Sequence, residues 1–388
     1  MISFKKGNFK WGVVFLAAFL HLFFYYSAFK SHTLDKYFLP VTPGQDFFQI
    51  PNAAYSFIRG GDFQGNFNGQ ENAYINCCGV NKNVYHPVFT LLVGTPLQLF
   101  KPWTSFNLWL FLHLLTSVFV IVFLIKNFKN HKYLPLALTI FLASNFQYYE
   151  ILNNQYHFLF DLFTFLFLYE NLKNNDSLKA GIFYFLGLIV KPIGLLYLLP
   201  LVIYKKFKII LIGLGLYFAI TLPFYFLPEG QYFFDNFLGA TKSIIPNYNI
   251  VHLFRLFGKN LNTVYLWELI FLLASSAIFI FKKPKFITAI LFMTCFQLIF
   301  YGGTYPYHYS ILPFVLSLWF LVKNNGLKLF ESIALVLLYL PAPIYYANIF
   351  SGNLQQIQVT IFVFWTMIPL FLLTISLYVK SLFFQSET

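Results

Sequence analysis

The sequence predicts an all-α protein that crosses a membrane many times. Three observations predict it. Of 388 residues, 59% are hydrophobic and only 10% are charged, against about 25% charged in an ordinary soluble domain. Aromatic residues make up 22% of the chain. The apolar residues fall in runs approaching the roughly 20 residues that a membrane helix needs. Such a chain has too little polar surface to cover a soluble globule of its size. A soluble cytosolic enzyme, a secreted disulfide scaffold and a disordered chain are excluded. The formal charge of +13 comes from short clusters between apolar runs, the pattern of cytoplasmic membrane loops, and gives no nucleic-acid signal.

The runs lie at about 11–28, 86–100, 103–125, 133–149, 151–169, 180–204, 209–227, 263–281, 286–302, 306–322, 329–347 and 357–379. The first follows Lys5, Lys6 and Lys10 as a signal peptide would. No small-residue cleavage site follows, so it reads as a retained span. Basic clusters at Lys5/Lys6/Lys10, Lys126/Lys129/Lys132, Lys173/Lys179, Lys205/Lys206/Lys208, Lys282/Lys283/Lys285 and Lys323/Lys328 set the cytoplasmic side. The loops 29–85 and 228–262, the YGGTY stretch at 301–305 and the turn 348–356 are then external.

Two runs strain this scheme. Run 86–100 is short and carries Pro87 and Pro96, so it reads as re-entrant or interfacial. Run 180–204 has basic clusters on both flanks, which demands an even number of crossings. Its 25 residues cannot make two full spans, and Lys191-Pro192 at its middle predicts a broken pair of short helices. About 10 to 12 spans follow, in a single membrane domain over 1–388. In the first external loop, DFFQIPNAAYSFIRG at 46–60 alternates aromatic, small and polar residues at helical spacing. This predicts an amphipathic helix on the membrane surface. The stretch 61–85, rich in Gly and Asn, reads as irregular loop.

Only 13 residues are acidic, so each is informative. Asp46 follows a Pro43-Gly44 turn and precedes the surface helix. It reads either as that helix's N-cap or as a general base at the lipid–water boundary. Asp62 and Glu71 share its loop and read as solvated. Glu150 and the Asn153-Asn154-Gln155 cluster form a polar external turn. His86 closes the large loop. Lys191 lies within an apolar run, and an intramembrane lysine is functional by default. It suits an anionic ligand such as a phosphate. Arg255, in NYNIVHLFRLF, serves as an interfacial anchor or a second cation. His308, in YPYHY, opens a late run, and Asp161 lines the interior or pairs with a base. Asp46, His86, Glu150, Gln155, Arg255 and His308 fall on one predicted side, with Lys191 within reach. A carboxylate among cationic groups suits a reaction in which an acceptor hydroxyl loses a proton and a phosphate departs. Cys77 and Cys78 lie in the polar loop and Cys295 in an apolar run, without metal-ligand spacing. No carboxylate cluster stands beside Asp46 to require a divalent metal.

The order of these motifs resembles that of a GT-C membrane glycosyltransferase, most closely the family 87 group of polyprenyl-phosphate-mannose-dependent mannosyltransferases. The resemblance covers about 45–315. It rests on GQDFFQIPNAAYSFIRGG at 44–61, VYHPVFTLLVGTPLQLF at 84–100 and NNQYHFLF at 153–160. AGIFYFLGLIVKPIGLLYLLPLVIYKK at 180–206, NYNIVHLFRL at 247–256 and YPYHYSILPF at 305–314 complete it. His86 stands where the family usually has Pro, the Gly and Asn that flank Gln155 in the family pattern are absent, and the Ser of its second external loop is missing. The resemblance implies a GT-C helical core with Asp46 as base, inverting transfer and no required cofactor. The implied binding residues are Lys191, Arg255, His308, Gln155, His86 and Glu150. It implies a polyprenyl-phosphate-sugar donor and a glycan or glycolipid acceptor at the outer face of a plasma membrane. The richness in Phe, Lys, Asn and Tyr points to an AT-rich bacterial genome. Competing readings are a GT-C enzyme with another lipid-linked sugar or a protein acceptor, a transporter of lipid-linked saccharides, and a non-catalytic assembly protein. A transporter fits the broken run at Lys191-Pro192 but predicts internal repeats, and none is visible.

Overall fold

The computed structural model describes residues 6–38, 44, 46–61, 85–227, 248–258, 261–322 and 329–383. Asp62, Glu71, Cys77, Cys78, Lys5, Lys323 and Lys328, with most of the loops 29–85 and 228–262, lie outside them. Among the described residues the regular structure is helical, as the composition predicts.

The predicted runs become helices almost one for one. They are α1 (Lys6–Tyr26), α2 (Gln49–Ile58), α3 (Pro87–Leu97), α4 (Pro102–Phe128), α5 (Leu134–Leu142), α6 (Asn145–Asn153), α7 (His157–Lys173) and α8 (Leu178–Val190). Then follow α9 (Leu198–Ile203), α10 (Phe207–Tyr225), α11 (Ile250–Leu256), α12 (Leu261–Lys282), α13 (Phe286–Phe300), α14 (Ile311–Val322), α15 (Leu329–Tyr339) and α16 (Leu354–Phe383). Short 3₁₀ segments at Pro192–Tyr197, Pro306–Ser310 and Ile344–Ile349 bridge three of the breaks.

Among the described residues, five stretches are long and apolar enough to cross a membrane alone: Lys10–Ser31, α4, α10, most of α12 and α16. α4, α10 and α12 leave large apolar side chains such as Leu211, Leu273 and Phe281 exposed, as lipid-facing helices do. All of α13 but Thr288 and all of α14 but Val322 are buried. These two are apolar all round and form the centre, with no solvated face to maintain.

The run 180–204 does what its flanking charges demanded. α8 ends at Val190, where Pro192 has no N–H to continue the ladder. The chain then turns back through the 3₁₀ segment and α9. Its two ends meet again: Lys206 Nζ donates to Asn175 Oδ1, and the Asp176 carboxylate accepts Lys208 N at 3.2 Å and Ile209 N at 2.9 Å, capping α10. The run therefore enters from the lysine-rich side and returns to it, with Lys191 at its tip. Thirteen helical residues place that tip about 20 Å in from the lysine-rich end. α3 has 11 residues, or about 16 Å, and is too short to cross. With these two excluded, one crossing each by α1, α4, α5 with α6, α7, α10, α12, α13, α14, α15 and α16 would make ten. All described basic clusters then fall on one side.

α2 forms where the spacing predicts a helix. Seven of its ten residues are buried, because it is packed against α3. The contact is close: a Cβ at Gly94 of α3 would sit 2.7 Å from both the Ala54 Cβ and the Ile50 carbonyl oxygen. Small residues let the two backbones approach. A helix whose polar face is buried has the same periodicity as one that presents it to water.

Candidate active site

Asp46 sits one turn before α2, half-buried. It is not the cap of that helix: the N-cap position is Phe48 and no side chain caps it. The Asp46 backbone carbonyl accepts from Gln49 Nε2 at 2.8 Å. Its approach is fixed by Gly44, whose N–H donates to the Leu152 carbonyl at 3.0 Å. Gly44 has φ +72°, and a Cβ there would run into the Phe106 ring, so only glycine fits. Phe47 stacks on Tyr156 at 5.7 Å, and the Tyr156 hydroxyl donates to the Phe47 carbonyl at 2.9 Å. The segment carrying Asp46 is thereby clamped onto the turn that carries Gln155.

Gln155 is the hub. Asn154 takes a left-handed conformation, φ 47°, at the end of α6, and this turns the next side chain inward. Gln155 Nε2 donates to Asp46 Oδ2. Its Oε1 accepts the Tyr85 hydroxyl at 2.5 Å, which fixes which way the buried amide faces. Burial, and next the Asp46 and Glu150 carboxylates, push the Tyr85 phenol well above its ordinary pKa. Tyr85 therefore stays a donor.

Lys191 lies on the other side of Tyr85. Its Nζ stands 5.5 Å from the centre of the Tyr85 ring and 4.9 Å from that of Tyr307, and 2.8 Å from His308 Nε2. The break at Pro192 puts Lys191 in extended backbone, φ −146°, and this frees its side chain from the helix face. His308 is placed by the 3₁₀ turn Pro306–Ser310, which packs on α6 through Phe146 and Tyr309 at 4.9 Å. Tyr305, before that turn, has its phenol raised by burial and then by the Asp46 charge, so it too belongs to this group.

Behind His308 the polar contacts continue inward. The His157 ring meets the His308 ring edge-on at 4.8 Å. His157 Nε2 is 3.3 Å from Asp161 Oδ1, one turn along α7, and Ser310 Oγ donates to Asp161 Oδ2 at 2.5 Å. Asp161 lies in the interior with the His157 ring beside it.

The structure thus brings together Asp46, Gln155, Lys191 and His308 from four separate stretches. Glu150 lies beneath them, entirely buried, with Oε1 accepting Phe158 N at 2.9 Å. It satisfies the start of α7 instead of facing an external turn. His86 caps α3, its Nδ1 accepting Val88 N at 3.1 Å, and its ring lies among Tyr217, Phe224 and Tyr225. Arg255 stands half-buried in the last turn of α11. That helix is tied to the loop before His308, because Asn249 Nδ2 donates to the Tyr301 carbonyl at 2.6 Å. These contacts tie the helix to the site. Tyr85, Tyr307 and His157 were missed in the sequence. Each reads as one more aromatic in a chain where aromatics are common, and only the fold sets them apart. Among the described residues, no three His, Cys, Asp or Glu side chains converge to hold a metal ion.

A half-buried carboxylate oriented by an amide, with a lysine held over two phenol rings beside it, can take a proton from one group and stabilise an anion on another. No curated protein matches the chain. The family model for glycosyltransferase family 87 matches residues 84–297, which contain His86, Glu150, Gln155, Lys191 and Arg255 but neither Asp46 nor His308. Membership of this family implies polyprenyl-phosphate-sugar-dependent glycosyl transfer to a glycan or glycolipid. With more than half of its length matched and a helical membrane fold of GT-C type, the chain belongs to glycosyltransferase family 87.

Proposed function

We propose that the protein transfers mannose from a polyprenyl-phosphate-mannose donor to a glycan or glycolipid at the outer face of a bacterial plasma membrane, with Asp46 as base and inversion at the sugar. The observation that carries this reading is the link from Asp46 through Gln155 to Tyr85, whose ring lies beneath Lys191. It sets a proton acceptor and an anion-binding group on either side of one tyrosine.

In this reading an acceptor hydroxyl approaches Asp46 and its oxygen attacks the anomeric carbon. The bond from that carbon to the phosphate oxygen breaks, and its electron pair leaves with the polyprenyl phosphate. Asp46 takes the hydroxyl proton. Lys191 donates to the departing phosphate, in a site where charge is worth more than in water. Gln155 holds the Asp46 carboxylate in position. His308 holds Lys191, and Arg255 is the second cation, brought by α11. Glu150 and His86 act at one remove, since their described contacts fix the starts of α7 and α3. The protein's own groups supply this chemistry without a required cofactor.

The outward-facing assignment follows the lysine clusters. They mark the side opposite Asp46, and basic loops stay cytoplasmic.

The test is transfer of radiolabelled sugar by membranes carrying the protein, with host glycolipid extract as acceptor. The donors are synthetic polyprenyl-phosphate-mannose, -glucose and -arabinose. Transfer of mannose alone, with the product anomer opposite to that of the donor, supports the reading. Transfer from glucose or arabinose instead moves the protein to another donor, and retention of configuration removes Asp46 from the role of simple base.

A further inference from the structure

The two ring nitrogens of His308 face two different partners, and together they fix where the protons are. Nδ1 lies 2.9 Å from the backbone nitrogen of Tyr305, whose N–H donates to it. The reciprocal backbone bond, His308 N to the Tyr305 carbonyl at 3.0 Å, locks this turn. Nδ1 therefore carries no proton, and a neutral imidazole must then carry its proton on Nε2. Nε2 is the atom 2.8 Å from Lys191 Nζ. An Nε2–H can donate to an amine lone pair but faces an ammonium proton against proton. The contact is a hydrogen bond only if Lys191 is the neutral amine.

We propose that the resting Lys191–His308 pair is uncharged and takes up one proton when the phosphate-linked donor binds, with His308 as the positioning residue that holds Lys191 ready. This rests on the donor reading above. The proton adds to the Nζ lone pair and comes from solvent, and no other bond changes. The new ammonium can no longer face Nε2–H and turns to the phosphate. The rings of Tyr85 and Tyr307 are already within cation–π reach of it.

The other charged or titratable groups around the pair are accounted for. The carboxylates of Glu150, Asp46 and Asp161 are within electrostatic reach of Lys191, but none forms an ion pair with it among the described residues. Glu150 and Asp46 are engaged by Phe158 N and Gln155. Asp161 is engaged by Ser310 and His157, and the His157 ring stands between it and His308. A neutral pair also avoids the cost of an unpaired buried cation before the donor binds.

The experiment is calorimetric titration of the detergent-solubilised protein with polyprenyl-phosphate-mannose, near neutral pH, in two buffers of different ionisation enthalpy. The probe is a phosphodiester with no proton to exchange there, so any proton counted belongs to the protein. The expected result is uptake of about one proton per donor bound. In H308N the shorter amide still accepts from Tyr305 N–H but leaves Nζ without a ring partner. Uptake should fall towards zero while the donor still binds. A purely structural His308 would leave the proton count unchanged. Binding to the wild type without uptake, or undiminished uptake in H308N, overturns the inference. Absence of any binding to the wild type overturns the donor reading and takes this inference with it.

Discussion

At the scale of the residue, Asp46 and Gln155 are 109 positions apart and joined by a side-chain hydrogen bond. Gln155 to Ala removes the amide that orients the carboxylate, and kcat should fall by about 10²-fold with donor affinity largely kept. Gln155 to Glu sets a second carboxylate against the first. It should fall further, and its rate should recover as pH is lowered, because two adjacent carboxylates resist joint ionisation. Tyr85 to Phe leaves Gln155 Oε1 without the hydroxyl that satisfies it. The cost is about 1–3 kcal/mol, read as a lower midpoint in thermal unfolding of the purified protein. The sequence pointed to Asp46, Gln155, Lys191 and His308 because each is a polar residue where apolar ones are the rule. It could not point to Tyr85 or Tyr307, since 27 tyrosines make one more uninformative.

At the scale of the element, two short pieces do most of the positioning. The α2–α3 pair holds the Asp46 segment, and its contact at Gly94 has no room for a side chain. Gly94 to Leu should force the helices apart and lower both stability and turnover, whereas Gly215, with nothing within 4 Å of its added Cβ, should tolerate Ala. Thermal unfolding of the two variants checks the contrast. The re-entrant pair α8–α9 presents Lys191, and Asp176 ties its base. Asp176 to Ala loses the cap on α10 and should cost about 1 kcal/mol. The re-entrant geometry was legible in the sequence, because lysines on both flanks and a central Lys-Pro leave few alternatives. The burial of α2 was not legible, since periodicity reports that a helix has two faces and not what covers the polar one.

At the scale of the whole molecule, the hydropathy runs and the lysine clusters carry enough information to lay out the crossings. They set nearly all helix positions, because in a bilayer length and polarity are both constrained. They carry none about which helices meet. The site needs the turn after α6, the tip of α8 and the 3₁₀ turn at 306–310 to converge, and those contacts span more than 100 residues. The same layout predicts that a single cysteine at Lys205, Lys282 or Lys129 is protected from a membrane-impermeant thiol reagent in intact cells, in a background lacking the native cysteines. One at Gly258 or Gly352 should be labelled. The opposite pattern would turn the site to the cytoplasm.

The central claim is that the Asp46 carboxylate performs the proton transfer in a site assembled around Gln155 and Lys191. The most direct test is the rate of sugar transfer by Asp46 to Asn, with donor affinity measured on the same folded preparation. Asparagine keeps the shape and an oxygen for Gln155 to bond, but it cannot take a proton at neutral pH. The account predicts a loss of roughly 10²–10⁴-fold in kcat with donor binding retained. A variant that transfers sugar at the wild-type rate would contradict it.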